Sequence, residues 1–257
     1  MTDYDAATYG DRIAEVYDDW YVERPDPSAM VAALAELAGA GPVLELGVGT
    51  GRVALPLATQ GLAVHGIDAS AAMVAKLRAK PSGDAIPVTM GDFAEVGVAG
   101  RFSLIFVVFN TFFALLSQAD QVRCFRNAAD HLTDEGVFVV EAFVPDLSRF
   151  QRGHSLSVES VRADLVLLNA AEHDPLQQRI VSQHLVISDD SIRLYPVQMR
   201  YAWPAELDLM ARQAGLRLRE RWADWDRQPF GPSSTRHVSI YGRSGARSQE
   251  QDRAVGI

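Results

Sequence analysis

A single cysteine, Cys124, occurs in 257 residues, which excludes an internal disulfide framework. Lysine is nearly as scarce: Lys76 and Lys80 are the only two, and arginine supplies every other cation. No stretch approaches the roughly 18 consecutive apolar residues of a membrane-spanning helix, and no basic-then-apolar leader opens the chain. With the lone thiol, these absences lead to the expectation of a soluble, cytoplasmic protein with no membrane partner. The basic stripe that nucleic acid demands is missing too. The formal net charge is −9, and the arginine-rich residues 212–221 read as the solvated side of a helix-to-strand unit, so nucleic acid is not expected as a partner. What is present, 48% hydrophobic and 22% charged residues, suits one large globular domain with room for an insertion. Cys124 falls in the helix-like segment 118–132, as a small buried hydrophobe and not a nucleophile.

The most informative stretch is Glu45-Leu46-Gly47-Val48-Gly49-Thr50-Gly51-Arg52-Val53. It follows a short apolar run and precedes a helix-like segment at 53–58. A strand that ends in a glycine-rich turn and opens a helix is a usual place for a nucleotide-like ligand. Glycine spacing separates two readings. A dinucleotide fingerprint beginning at Gly47 needs glycine at position 52, where Arg52 stands, so a nucleotide-dependent oxidoreductase is disfavoured. The third glycine is Gly51, giving E-x-G-x-G-x-G. Glu45 would repel a pyrophosphate and suits a ligand with a cationic amino-acid end.

Further strands follow. Residues 62–67 end at Asp68, a position where a carboxylate can grip a ribose diol or, alternatively, cap the helix over 70–79. Residues 86–90 run into Gly91-Asp92-Phe93. The nearly unbroken apolar run 102–109 fits a central parallel strand and ends at Asn110-Thr111. Residues 136–140 end at Glu141. Strand ends align on one edge of such a sheet, so Gly47, Asp68, Asp92, Asn110 and Glu141 are expected around one crevice. Strands six and seven are expected at 216–222 and 238–241, separated from the fifth by a β-rich insertion and a helix over 204–214. The last strand is expected to run antiparallel at the sheet edge.

The E-x-G-x-G-x-G motif resembles the first motif of the class I S-adenosylmethionine (SAM) dependent methyltransferases. The implied fold is α/β: a doubly wound, seven-stranded, mostly parallel Rossmann-like sheet, with an antiparallel β insertion covering the active site. The resemblance implies SAM as cofactor, Asp68 on the ribose hydroxyls with Ala69 beside it, Met73 beneath the adenine, Asp92 on the exocyclic amine and Phe93 over the ring. Glu45, Gly47, Gly49, Gly51, Arg52, Phe109 and Asn110 complete the expected cofactor set. The chain lacks the D/N-P-P-Y/F sequence of enzymes that methylate base or glutamine nitrogens; Asn110-Thr111-Phe112-Phe113 occupies that place.

Two additions narrow the resemblance. Residues 9–21 place Tyr9, Ile13, Val16 and Trp20 at helical spacing, with Tyr17 and Tyr21 on a neighbouring face. They form either an amphipathic helix on the core or a lid over the ligands. Alternating segments at 156–161, 164–168, 179–187 and 192–201, with a turn at 189–191, suggest three or four antiparallel strands over the crevice. The pattern is similar to small-molecule methyltransferases of bacterial natural-product pathways, among them N,N-dimethyltransferases of nucleotide-linked amino sugars. That similarity carries a cofactor contact over to Tyr17. The Glu-Pro-Trp-Trp of those enzymes is Glu141-Ala142-Phe143-Val144 here, a reduced aromatic wall that suggests a more apolar acceptor.

The expected organisation is a helical lid over 1–40, a SAM-binding core over 41–150, a substrate cover over 151–202, the remaining core over 203–243 and a flexible tail over 244–257. Expected substrate contacts are Phe113, Phe143 and Tyr195. Candidate bases are Glu141, Tyr21 and His154, with Tyr195 and His237 behind them, and Glu141 could equally bind a nearby backbone group. No metal is expected, because Asn110 and Glu141 do not supply acidic ligands after both central strands. The expected function is methyl transfer to N, O or C of a small molecule. The alternatives are N-methylation of a nucleotide-linked amino sugar and a non-catalytic SAM-binding subunit. The segment Trp222-Ala223-Asp224-Trp225, read as exposed, is expected to be either a homodimer contact or part of the substrate cavity.

Overall fold

The structure, a computed structural model, describes residues 4–21, 27–95 and 97–243; the tail expected over 244–257 lies outside the described residues. Two short helices come first, α1 (Thr8–Ile13) and α2 (Tyr17–Tyr21), then α3 (Ser28–Ala38). The alternating core follows as β1 (Val43–Leu46), α4 (Ala54–Thr59), β2 (Val64–Asp68), α5 (Ala71–Arg78), β3 (Val88–Met90), β4 (Phe102–Val107), α6 (Gln118–His131) and β5 (Leu132–Phe143). Then come β6 (His154–Val161), β7 (Leu165–Asp174), β8 (Arg179–Ser188), β9 (Ile192–Arg200), α7 (Pro204–Gln213), β10 (Leu216–Trp222) and β11 (Arg236–Arg243).

Seven strands form one sheet in the order β10-β11-β5-β4-β1-β2-β3. β1 to β5 pair in parallel, while β11 runs antiparallel to both β5 and β10. The antiparallel direction of the last strand is as expected, but its place is not: β11 is inserted between β5 and β10, and β10 is the edge. β4 reads Phe-Ser-Leu-Ile-Phe-Val and is almost wholly buried, as a strand covered on both faces must be. One layer of core packs Phe112, Phe125, Phe138 and Tyr241 in edge-to-face contacts. The opposite layer sets α3 and α4 against β1, β4 and β5. Hence α3, although inside the range expected for the lid, is a core helix: Met30, Val31 and Leu34 are buried against the sheet.

β6 to β9 make a separate antiparallel sheet in chain order. The expected turn at 189–191 joins β8 to β9, with the Ser188 N–H donating to the Ser191 carbonyl. A buried cation fastens this sheet to the core. Arg200, at the end of β9, donates to Gln121 of α6 (2.6 Å), to Gln178 (2.7 Å) and to Glu206 of α7 (2.8 Å). Burial works against ionised Glu206, but hydrogen bonds donated by Gln178, Arg200 and Gln118 outweigh it and hold its carboxyl below the ordinary value. The expected exposed tryptophan contact is corrected. Trp222 is 7% exposed, because the alternation of β10 turns it into the layer beside Val238 and Ile240. Cys124 is fully buried, and burial raises its thiol pKa far above the ordinary range, in keeping with an inert core residue.

Candidate active site

Chain geometry between β1 and α4 requires glycine. Gly47, Gly49 and Gly51 all have positive φ (75°, 53° and 80°), a region costly for residues with a Cβ. A Cβ on Gly47 would lie 2.6 Å from Thr111 and one on Gly51 2.3 Å from Leu77 of α5, while Gly49 faces open space. Gly51 therefore serves helix packing, and Gly47 and Gly49 form the wall of a cavity.

Asp68 closes the loop from the end of β2. Its Oδ2 accepts from the Gly49 N–H (2.7 Å) and its Oδ1 from the Ser70 N–H (2.8 Å). Ser70, not Asp68, caps α5, accepting from the Met73 N–H. Burial raises the Asp68 pKa above the usual carboxylate value despite those backbone donors. Beneath the loop, Glu45 is 3% exposed, with its Oε2 buried and without a hydrogen-bond partner. Burial, and then the nearby Asp68 charge, push its pKa well above normal.

The cavity beside these groups encloses about 260 Å³. Its floor is Gly47, Gly49, Asp68, Ala69 and Met73, continuing to Asp92, Phe93, Phe109 and Asn110. Tyr9, Gly10 and Tyr17 of α1 and α2 line it from above. The helices are pinned there at two points. Asp11 accepts from the Ser70 hydroxyl (2.6 Å), and Asp18 accepts from the Thr50 hydroxyl (2.7 Å) and pairs with Lys80 (2.8 Å). Burial opposes ionisation of Asp18, yet Lys80 and Thr50 hold its pKa below normal. These separate anchors accompany a break into two helices where one continuous helix over 9–21 was expected. The expected face is nevertheless correct: Ile13 is buried, and Tyr9, Val16, Tyr17 and Trp20 pack around it with Met73 and Tyr195.

Other expected site residues fall elsewhere. Glu45, Gly51 and Arg52 are outside the cavity lining; Arg52 lies over the Phe109 ring at 4.5 Å. Glu141 is buried, and its Oε2 accepts from the Phe109 N–H at 2.7 Å. Asn110 reciprocates, its Oδ1 accepting from the Phe143 N–H at 2.7 Å. Together they hold Phe109 and Asn110 at φ 58° and 64°, conformations that need such support in residues other than glycine. Glu141 is thus a brace for the cavity wall and not placed as a base. His154 is exposed at the start of β6 and away from the cavity. Phe113 is fully buried against Phe112 and Phe143, and Tyr195 is edge-on to Trp20 at 4.8 Å; none of Phe113, Phe143 and Tyr195 lines the cavity. His237 is buried in β11, with its Nδ1 beside the Ser239 hydroxyl. The Tyr21 side chain lies outside the described residues.

The wall opposite the glycine loop was missed in the sequence. It comprises Ala114 and Leu115 after β4, His184 of β8, and Val197, Gln198 and Met199 of β9. In an alternating strand the inward face is set by pairing partners, and nothing in the chain announced which face of β8 and β9 looked inward.

The polar groups suit an adenosyl sulfonium amino acid. Asp68 and Asp92 in the lining are acceptors, and such a ligand brings ribose hydroxyls, an exocyclic amine, an ammonium group and a positive sulfur. A pyrophosphate would meet carboxylates instead. Comparisons with known proteins agree. A family model described as a methyltransferase domain matches residues 43–136. The cypemycin N-terminal methyltransferase of a Streptomyces species is 31% identical over 177 residues, covering 68% of this chain and 71% of that protein. A dTDP-3-amino-3,6-dideoxy-α-D-glucopyranose N,N-dimethyltransferase of Streptomyces fradiae is 31% identical over 143 residues, covering 52% of this chain and 54% of that protein. The structure of the CcbJ methyltransferase from Streptomyces caelestis superposes with a TM-score of 0.89 at 45% identity, covering 94% of this chain and all of that one. Glycine loop, sheet order and relatives lead to one conclusion: the chain belongs to the class I SAM-dependent methyltransferases.

Proposed function

We propose that this methyltransferase acts on an amine nitrogen of a small natural-product acceptor. The observation that carries the reading is the shape of the cavity: the carboxylate-rich floor at the glycine loop continues without interruption to a mostly apolar wall of Leu115, Val197 and Met199. SAM supplies an electrophilic methyl group at that junction. Asp68 holds the ribose, Asp92 and Phe93 the adenine, and Met73 its underside. Glu45 supports the glycine loop from below, outside the lining, where burial disfavours its charged form. Tyr17 adds a hydroxyl from the lid formed by α1 and α2, and the small sheet serves as substrate cover. Both pieces exclude water from the transfer.

Nitrogen is favoured because one relative is named an N-terminal methyltransferase and another an N,N-dimethyltransferase. The apolar wall of Leu115, Val197 and Met199 favours an apolar acceptor over a nucleotide-linked sugar. The test is incubation with SAM and three probes: a short peptide with a free N-terminus, a dTDP-amino sugar and a catechol, with product mass as readout. Gain of a methyl group on the peptide or another apolar amine is expected. Exclusive methylation of catechol oxygen would overturn the nitrogen assignment, and turnover of the sugar nucleotide alone would overturn the apolar one.

A further inference from the structure

One titratable side chain in the cavity wall has a carboxylate partner and no part in holding the cofactor. His184 lies in β8, lines the cavity, and stands edge-on to Trp20 of α2 at 6.1 Å. Its Nδ1 is 3.5 Å from Oε2 of Glu159 in β6 and 3.4 Å from the side-chain amide of Asn169 in β7. Glu159 reaches it from two strands away through an irregularity in pairing. Val158 pairs with Leu168 and Ser160 with the adjacent Leu167, leaving Glu159 as the extra residue of a β-bulge. A bulge interrupts strict alternation and re-aims a side chain, and bulges recur beside active sites.

The geometry points to His184 as the group that takes the proton from the acceptor ammonium, with Glu159 as its positioning residue; this rests on the amine reading above. An aliphatic amine is mainly protonated at neutral pH and has no lone pair to attack with. His184 Nε2 accepts one N–H proton, leaving the neutral amine. The nitrogen lone pair then forms the bond to the methyl carbon while the S–C pair stays on sulfur. The product leaves as the methylated ammonium and the imidazolium returns its proton to water. Net, one proton is released per transfer. Glu159 accepts Nδ1–H, fixing the tautomer that leaves Nε2 bare. Asn169 would favour the opposite tautomer as a donor, but the charge-assisted bond is the stronger, and the amide can turn its oxygen to Nδ1. The 3.5 Å separation is long for that bond, and such contacts tighten once ligands are in place. The other titratable or charged groups around the imidazole are Tyr195, paired across from it on β9, and Tyr4, Asp5, Tyr9, Tyr17, Asp68 and Asp92 in the cavity.

Nitrogen-15 NMR of the imidazole in the S-adenosylhomocysteine-saturated protein tests the pair without any acceptor. A bare Nε2 and a protonated Nδ1 are expected, with the titration midpoint moving down in Glu159→Gln. The opposite tautomer, or an unmoved midpoint, overturns the pair. With the most active amine probe, His184→Gln should lose on the order of 10²-fold in kcat and regain rate as pH rises and the amine deprotonates unaided. Its affinity for S-adenosylhomocysteine should stay within about twofold. Glu159→Gln should shift the pH–rate profile along with the NMR midpoint. Wild-type kcat in a folded His184→Gln overturns the proposal. If wild type turns over no amine, the nitrogen assignment fails and this role for His184 falls with it, while the NMR result still decides the pairing.

Discussion

Asp68 carries two backbone donors within its own fold, from Gly49 and Ser70, and still borders the cavity. Its carboxylate therefore shapes the loop and offers its remaining lone pairs to a ligand. Asp68→Ala is expected to weaken S-adenosylhomocysteine binding by about 1–3 kcal/mol, the range for losing a hydrogen bond to a charged group. Calorimetric titration checks it, and unchanged affinity would remove Asp68 from the site. His237 makes a different prediction. Burial, then the neighbouring Arg221 charge, lower its pKa from 6.5 to about 3. The unfolded chain thus takes up a proton near pH 6.5 that the folded protein refuses, so stability is full above that value and falls as pH drops toward 3. The loss at pH 5 is about 2 kcal/mol from this residue. Denaturation midpoints followed from pH 7 to 5 should show a shallower fall in His237→Phe than in wild type; parallel curves would contradict the assignment.

At the level of elements, the parallel strands were the most legible part of the chain because burial on both faces leaves an apolar signature that polar punctuation ends. The run from Phe102 and the stop at Asp68 required no tertiary information. β10 was also readable, since the Leu216–Trp222 segment is bracketed by a helix and a loop. What failed was side-chain direction. Glu141 lies inside β5, which runs on to Phe143, and its carboxylate is taken by the Phe109 N–H, beside two successive left-handed residues that no local pattern reveals. The family resemblance puts Phe113 and Phe143 on the cavity wall, but their rings pack edge-to-face on each other outside the lining. A buried ion pair, Arg200 with Glu206, joins the cover sheet to α7 beside the hydrogen bonds of Arg179 to the Leu116 carbonyl. Arg200→Ala removes the cation from that carboxylate, which keeps only the Gln118 and Gln178 amides, and leaves the side-chain oxygens of Gln121 and Gln178 without their donor. A destabilisation of about 3–5 kcal/mol is expected, measurable by urea denaturation. A change below about 1 kcal/mol would show that the sheet is held by its other contacts.

For the whole molecule, the cofactor half and the acceptor half were legible to different degrees for a physical reason. The glycine loop, Asp68 and Asp92 lie along one edge of the sheet, where strand order and a glycine turn determine placement from local sequence. The opposite wall is assembled from Ala114, Leu115, β8 and β9, and the inward faces of those strands depend on pairing and docking; the alternation of β8 alone does not reveal that His184 faces the cavity. No helix among the described residues is long and apolar enough to cross a membrane, and none of their side chains forms a group of three or more metal-ligating residues. The carboxylates of the cavity suit an adenosyl sulfonium and repel a pyrophosphate. Titrating the protein with S-adenosylhomocysteine beside NAD tests this. Micromolar binding of the first and none of the second is predicted; binding of NAD alone, or of neither, would contradict it.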